Sequence, residues 1–384
     1  MKKILKTFFL ISVFSLILVG CGIKSSEDII EKLESKIEKA DSYYVEGTME
    51  IINNEDTYTY NVTVSYKKDN YYKIDLVNTL NNHEQVILRN DDGVYVVTPS
   101  LNKSFKFQSD WPYNNSQIYL LESIIEDLTE DEDRIFKTKD DGYYFQSSVN
   151  YPNNKSLAKQ NVYINKKMNI TKVEVTNNDN KVQISMKFDK INYNKSFDDD
   201  YFDLSKLINV KDKESTDDTT EDTKNNTSTN DNSNNSSDNN SNDVNNNSTN
   251  DNTNNNTNDN DDGTNKTKET ATIDDVIYPM YLPDNTTLAN KETVDTEDGQ
   301  RLILTFDGDN PFILIEETIS YQDEGLIIPV NGQLDFLTDV IGVIGDNSLT
   351  WESNGIEYYM VSSTMKTSEL IEIAQSISVL PVSK

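Results

Sequence analysis

The stretch Asp56-Thr57-Tyr58-Thr59-Tyr60-Asn61-Val62-Thr63-Val64-Ser65-Tyr66-Lys67-Lys68 decides the fold. Tyr58, Tyr60, Val62, Val64 and Tyr66 alternate with Thr57, Thr59, Asn61, Thr63 and Ser65. Successive side chains of a strand point to opposite faces, so this is a β-strand with one apolar face and one polar face. The same period recurs in Val45–Ile51, Ile74–Leu76, Val86–Leu88, Val162–Ile164, Val173–Val175 and Val182–Phe188. Asp69-Asn70, Asp92-Gly93 and Asp141-Gly142 punctuate the strands as hairpin turns. Two segments have helical spacing instead. One is Ser26 to about Asp41, with Ile29, Ile30, Leu33, Ile37 and Ala40 in a stripe. The other is Ser116 to about Leu128, with Ile118, Leu121, Ile124, Ile125 and Leu128. The expectation is an α+β domain, an open antiparallel sheet whose apolar face is covered by two helices.

Outward from this region the chain changes character. Residues 211–270 hold 20 Asn, 19 Ser or Thr and a single apolar side chain, Val244. One apolar residue in such a tract cannot offset the ordering entropy of the backbone, so the composition is that of a disordered linker. A coil of this length spans roughly 40–45 Å. Beyond it, strands are expected at Arg301–Asp307, Phe312–Ser320, Gly325–Val330, Ser348–Glu352 and Ile356–Val361, with Ser353-Asn354-Gly355 as a hairpin turn. A closing helix runs from Thr367 to about Ile377. Residues 271–384 therefore read as a small α+β domain, carried outward by the linker from the domain of residues 21–210.

The N-terminus reads as an address. Lys2, Lys3 and Lys6 precede an apolar run from Phe8 to Val19, then Gly20 and Cys21. Twelve residues of helix reach about 18 Å, short of the roughly 30 Å hydrocarbon core, which marks an export signal rather than a span. Leu18-Val19-Gly20-Cys21 matches the lipobox of bacterial lipoproteins. In such proteins the chain is cut before the cysteine and the thiol is acylated, which places residues 1–20 in a signal peptide and Cys21 at the lipid attachment. The chain is then expected at the extracytoplasmic face of the cell membrane, held by lipid.

Counting excludes much chemistry. The formal net charge is −31, from 35 basic and 66 acidic residues, which argues against a nucleic-acid partner. One cysteine permits no intramolecular disulfide, and with one histidine it leaves too few ligands for a Cys/His zinc site. A histidine-based nucleophile could be built only around His83, on an expected exposed turn. No enzyme activity, no cofactor and no metal is expected. Asn258 to Gly263 followed by Glu269 has EF-hand spacing, but without flanking amphipathic helices and in a tract where such matches arise by chance. Glu316-Glu317 and Asp198-Asp199-Asp200 could serve a glycosidase as paired carboxylates. Neighbours in a strand face opposite sides, however, and solvated surface carboxylates explain them as well.

The lipobox, the helix, the strand-rich meander, the mid-domain helix and the ending Phe197-Asp198-Asp199-Asp200-Tyr201-Phe202-Asp203-Leu204 resemble the LolA-like lipoprotein-carrier fold. More specifically they resemble its lipid-anchored Gram-positive branch, of the sporulation lipoprotein YdcC and germination lipoprotein GerS type. Tyr278-Pro279-Met280-Tyr281-Leu282-Pro283 is similar to the opening of a small domain of unknown function in YdcC-like lipoproteins. The hairpin around Trp351 and Gly355, then Glu369 to Ile377, fits that domain's end. The long Asn-rich linker is a departure from the pattern. The resemblance implies a curved sheet whose concave face holds acyl chains in LolA itself. It also implies an extracytoplasmic binding role in sporulation or germination, with an envelope or spore-cortex enzyme as partner. Tyr58, Tyr60 and Tyr66 are then either the lining of an apolar ligand cavity or ordinary core under the helices. The leading expectation is a lipid-anchored protein that binds a partner protein or an amphiphile. A lipid or lipoprotein carrier and a carbohydrate-active hydrolase are the rivals.

Overall fold

The computed structural model describes residues 25–53, 56–113, 115–210, 272–273, 276–296, 299–337 and 339–377. The expected signal peptide, Cys21, the expected linker and the EF-hand-like run lie outside the described residues. Helix α1 (Ser26–Glu38) opens the described chain, capped by Ser25, whose Oγ accepts from Asp28 N at 3.1 Å while Asp28 Oδ2 accepts from Ser25 N at 3.0 Å. This reciprocal cap satisfies two of the free donors that every helix start leaves. Strands β1 (Ser42–Asn53), β2 (Asp56–Lys67), β3 (Tyr71–Asn78), β4 (Glu84–Asn90), β5 (Gly93–Thr98) and β6 (Lys103–Phe107) form one antiparallel meander. Helix α2 (Leu121–Glu130) follows, then a second meander of β7 (Ile135–Lys139), β8 (Gly142–Ser148), β9 (Leu157–Asn165), β10 (Ile170–Asn177) and β11 (Val182–Tyr193). Pairing of β1 with β11 fuses the two into a single open sheet. At the bulge in β1, a side chain on Gly47 would meet the Lys187 carbonyl at 2.3 Å, so the close approach of β11 needs glycine there.

Strand β2 behaves as its alternation requires: Tyr60, Val62 and Val64 are buried, and Tyr58 and Tyr66 pack against the same core. The stripes of both helices enter that core. The second helix starts five residues later than its spacing predicts. Gln117 N donates to Ser123 Oγ at 2.8 Å, so a side chain satisfies this backbone N–H in a non-helical form, while Gln117 Nε2 donates to the Asn115 side chain at 2.6 Å. Ile118 is still buried, but from a turn that precedes α2. Strands β4 and β5 are buried on both faces because the segment Phe197–Val210 packs Phe202 and Ile208 against Val86, Leu88, Tyr95 and Val97. The Phe197–Leu204 ending is thus a cover for the far side of the sheet.

After residues 211–270 come β12 (Thr286–Thr296), β13 (Gly299–Gly308), β14 (Phe312–Thr318), β15 (Leu326–Val330), β16 (Gln333–Phe336), β17 (Ile341–Ile344), β18 (Ser348–Ser353), β19 (Ile356–Val361) and helix α3 (Thr367–Gln375). All but β15 make a seven-stranded sheet in the order β12-β13-β14-β19-β18-β17-β16, with α3 on its apolar face. Asn354 and Gly355 both have positive φ and form the two-residue β18–β19 turn.

This lobe does not stand off from the first one, as a module carried outward by a linker would. Strand β15 pairs in parallel with β6 and becomes the edge of the first sheet. Leu334, Ile341 and Val343 enter the first lobe's core, and the described residues on both sides of 211–270 cluster as one compact unit. The alternation that marks β15 as a strand says nothing about which sheet takes it. An unpaired β6 edge with free N–H and C=O groups does. Pro329, which lacks an N–H, is tolerated because β15 lies at the edge.

Candidate functional site

The three tyrosines singled out on β2 take different positions. Tyr60 is 4% exposed and sits in the core, where burial pushes its hydroxyl far above its usual range. Tyr58 is half-buried at the rim, with its hydroxyl pushed up to about 12 by burial and then by Asp339. Tyr66 stacks on Tyr43 at 4.9 Å and leans on Tyr72 at 5.0 Å, and Tyr72 meets the edge of Trp111 at 5.7 Å. This aromatic wall closes over Glu122 of α2, whose Oε2 accepts from the Tyr43 hydroxyl at 2.5 Å. Burial raises the Glu122 carboxyl to about 7. Sequence reading missed Glu122, which occupies the first turn of α2 and looks like an ordinary favourable charge there.

The raised acid has a sign. A carboxyl whose folded pKa exceeds its unfolded value of about 4.5 supports the fold fully below that pH and stops doing so as pH rises through about 7. The Glu122→Gln variant should therefore flatten the fall in stability between pH 5 and pH 8, removing up to ~3 kcal/mol of it. Urea midpoints at the two pH values measure this. An unchanged slope would show that Glu122 keeps its charge when buried.

A cleft of about 380 Å³ opens where the far ends of β1, β9 and β11 meet α3. Ile51, Leu157, Ile184, Phe336 and Ile371 supply its apolar wall, and it shares Tyr151, Asp335 and Phe336 with an inner cavity of about 20 Å³. Asp335 is held by Asn153 Nδ2 at 3.0 Å and by the Phe336 N–H at 2.8 Å, and burial raises its pKa. The volume is that of a small-molecule site, whereas the inner cavity admits about one water.

The seam between the lobes concentrates buried charge. Lys103 of β6 and Glu352 of β18, 4% and 2% exposed, pair at 2.6 Å, and Glu357 of β19 closes on the same ammonium at 3.0 Å. Thr98 Oγ1 donates to Glu352 Oε2 at 3.0 Å. Burial acts to lower the Lys103 pKa, but the two carboxylates outweigh it and the net direction is up. Next to this group Gln85 bonds the Ile341 backbone twice, accepting from its N–H at 2.7 Å and donating to its carbonyl at 3.2 Å. His83, expected on an exposed turn, is instead half-buried, and burial lowers its pKa against the pull of Glu352 and Asp339.

Two carboxylates do converge here, but on a lysine in the seam rather than across an open cleft. Glu316 and Glu317 face opposite sides of β14, as the strand period requires. Glu316 is fully buried rather than solvated, accepts from the Ile277 N–H at 3.3 Å and is raised to about 7 by burial. Glu317 is bound twice by Arg301, at 2.9 and 3.0 Å. Asp198 to Asp200 are exposed, with Asp200 paired to Lys206 at 2.5 Å. Among the described residues, no group of His, Cys, Asp and Glu is placed to hold a metal ion, and no helix is long and apolar enough to cross a membrane.

Comparison with known proteins adds the context this geometry lacks. A family profile described as "Sporulation protein YdcC-like" matches residues 1–202. The sporulation protein YdcC of Bacillus subtilis is 33% identical over 381 residues, covering 98% of each chain. Among solved structures, the MucA/MucB complex of Pseudomonas aeruginosa aligns with a TM-score of 0.31 at 11% identity, over 91% of this chain and 97% of that one. The CwlD amidase–GerS lipoprotein complex of Clostridioides difficile aligns with a TM-score of 0.28 at 18% identity, over 45% of this chain and 98% of that one. Structural likenesses at that level say nothing about what this chain binds.

Proposed function

Because the chain belongs to the YdcC-like sporulation protein family, we propose that it is a lipid-anchored protein of the extracytoplasmic membrane face that binds a partner protein during sporulation. The observation that carries the sporulation role is the end-to-end match to the Bacillus subtilis protein, 98% of both chains. Such collinearity relates both lobes and the segment between them, rather than one transferable domain. Binding rather than catalysis is favoured because the convergent carboxylates are neutralised by Lys103 in a buried seam. A partner protein is favoured over an acyl chain because the stripes of α1 and α2 fill the sheet face that would hold one. An envelope or spore-cortex enzyme is the partner of first choice.

Anchoring rests on Cys21 in the lipobox and is tested there. The Cys21→Ala variant should leave the membrane fraction or accumulate as unprocessed precursor, since two acyl chains are what makes such anchoring stable. A variant that still pellets fully with membranes and is normally processed contradicts the lipid anchor. Spore counts of a strain lacking the gene test the rest of the reading.

A further inference from the structure

The distal sheet has two apolar faces: α3 covers the inner one, and the first lobe covers the outward one only at its Glu352–Glu357 end. The inner face carries Leu302, Leu304, Phe306, Leu314, Tyr358 and Met360 against α3. On the outward face the β13–β14–β19 register lines Ile303, Ile315 and Tyr359 into one cross-strand row and Thr305, Ile313 and Val361 into the next. Ile313 and Tyr359 are each 37% exposed, and Ile303, Ile315 and Val361 are half-buried. An antiparallel sheet with a solvated face ordinarily alternates apolar-in with polar-out, and contiguous apolar surface rimmed by polar groups marks an interaction site.

The rim identifies the occupant. Glu292 flanks Ile303 on the same face, Asp307 lies beyond Thr305, and Glu317 borders Ile315 with its charge shared by Arg301. Residues 271–384 carry 20 carboxylates against four cations, a net charge of −16. A second copy would bring two such lobes together and is repelled. The linker, with one apolar residue in sixty, has nothing to lay on the isoleucines. One row further along the same face, Glu357 and Glu352 already take a cation from the first lobe, Lys103. We propose that this outward face, centred on Ile313, Ile315 and Tyr359, docks a partner protein through an apolar patch surrounded by Lys and Arg. The proposal rests on the partner-binding reading above and assigns it a surface.

The test uses the full chain in sporulating cells, with a photo-crosslinking amino acid at position 313 or 359, and at the exposed Leu80 of the first lobe as reference. Both patch positions should trap the same protein, at least tenfold more than position 80. Its trapped surface should be basic around an apolar centre. The Ile313→Asp/Tyr359→Asp variant should lose the adduct at least tenfold from a crosslinker at neighbouring position 361. A rim variant, Glu292→Lys/Asp307→Lys, alters only exposed positions and should lose it as well, which keeps the test valid if the first variant melts. Adducts to a second copy, to lipid, to an acidic surface, or no more abundant than at position 80 overturn the proposal. The two readings fail separately. Normal sporulation without the gene sinks the sporulation role, whereas a sporulation defect fully rescued by both variants sinks only the docking face.

Discussion

Lys103→Met is expected to destabilise the protein by ~3–5 kcal/mol, the range for removing one partner of a buried ion pair. Glu352, 2% exposed, would keep a carboxylate facing Glu357 with no cation between them. Lys103 lies in the first lobe and both acids in the second, so the loss should appear as weakened attachment of the two lobes. Urea unfolding should show a lower midpoint, and hydrogen exchange should rise first in β15 and β6. The double variant Lys103→Met/Glu352→Leu should recover most of the stability, because a well-packed apolar pair often matches a buried ionic one. If the single variant costs less than ~1 kcal/mol, the seam is wetter than its burial implies.

The second large effect is at Tyr60. Replacing this ring by Asp removes a buried aromatic surface and places a carboxylate in the core beside Val62, Met49 and Leu76. Either change alone is among the few that destabilise by several kcal/mol, and together they should unfold the first lobe, a loss of ~4 kcal/mol or more. A thermal melt of the variant, with mass spectrometry of the parent for bound acyl species, separates core from cavity. A collapsed melt with no lipid in the parent fits the filled face. A folded variant that has lost a co-purifying acyl species would restore the carrier reading.

The elements and their faces were legible from the residues alone. Alternation through Tyr58–Tyr66 set β2 and its buried side, the Ile29–Ile37 stripe set α1, and Asn354-Gly355 set the last hairpin. These features are local: side-chain period, cap chemistry and positive φ act over a few residues and can be read there. The start of α2 was displaced because the Ser123 hydroxyl takes the Gln117 N–H of the preceding backbone, a competition that periodicity does not register. Partnership between the strands on either side of residues 211–270 is visible only in the packing. A strand's pattern shows that it has an apolar face, not which sheet will take its edge, so β15 gave no sign of joining β6. The buried roles of Lys103, Glu352, Glu316 and Glu122 were equally hidden. A charged residue in a sequence reads as solvated, and only the packing around it makes it a buried ion pair or a raised acid.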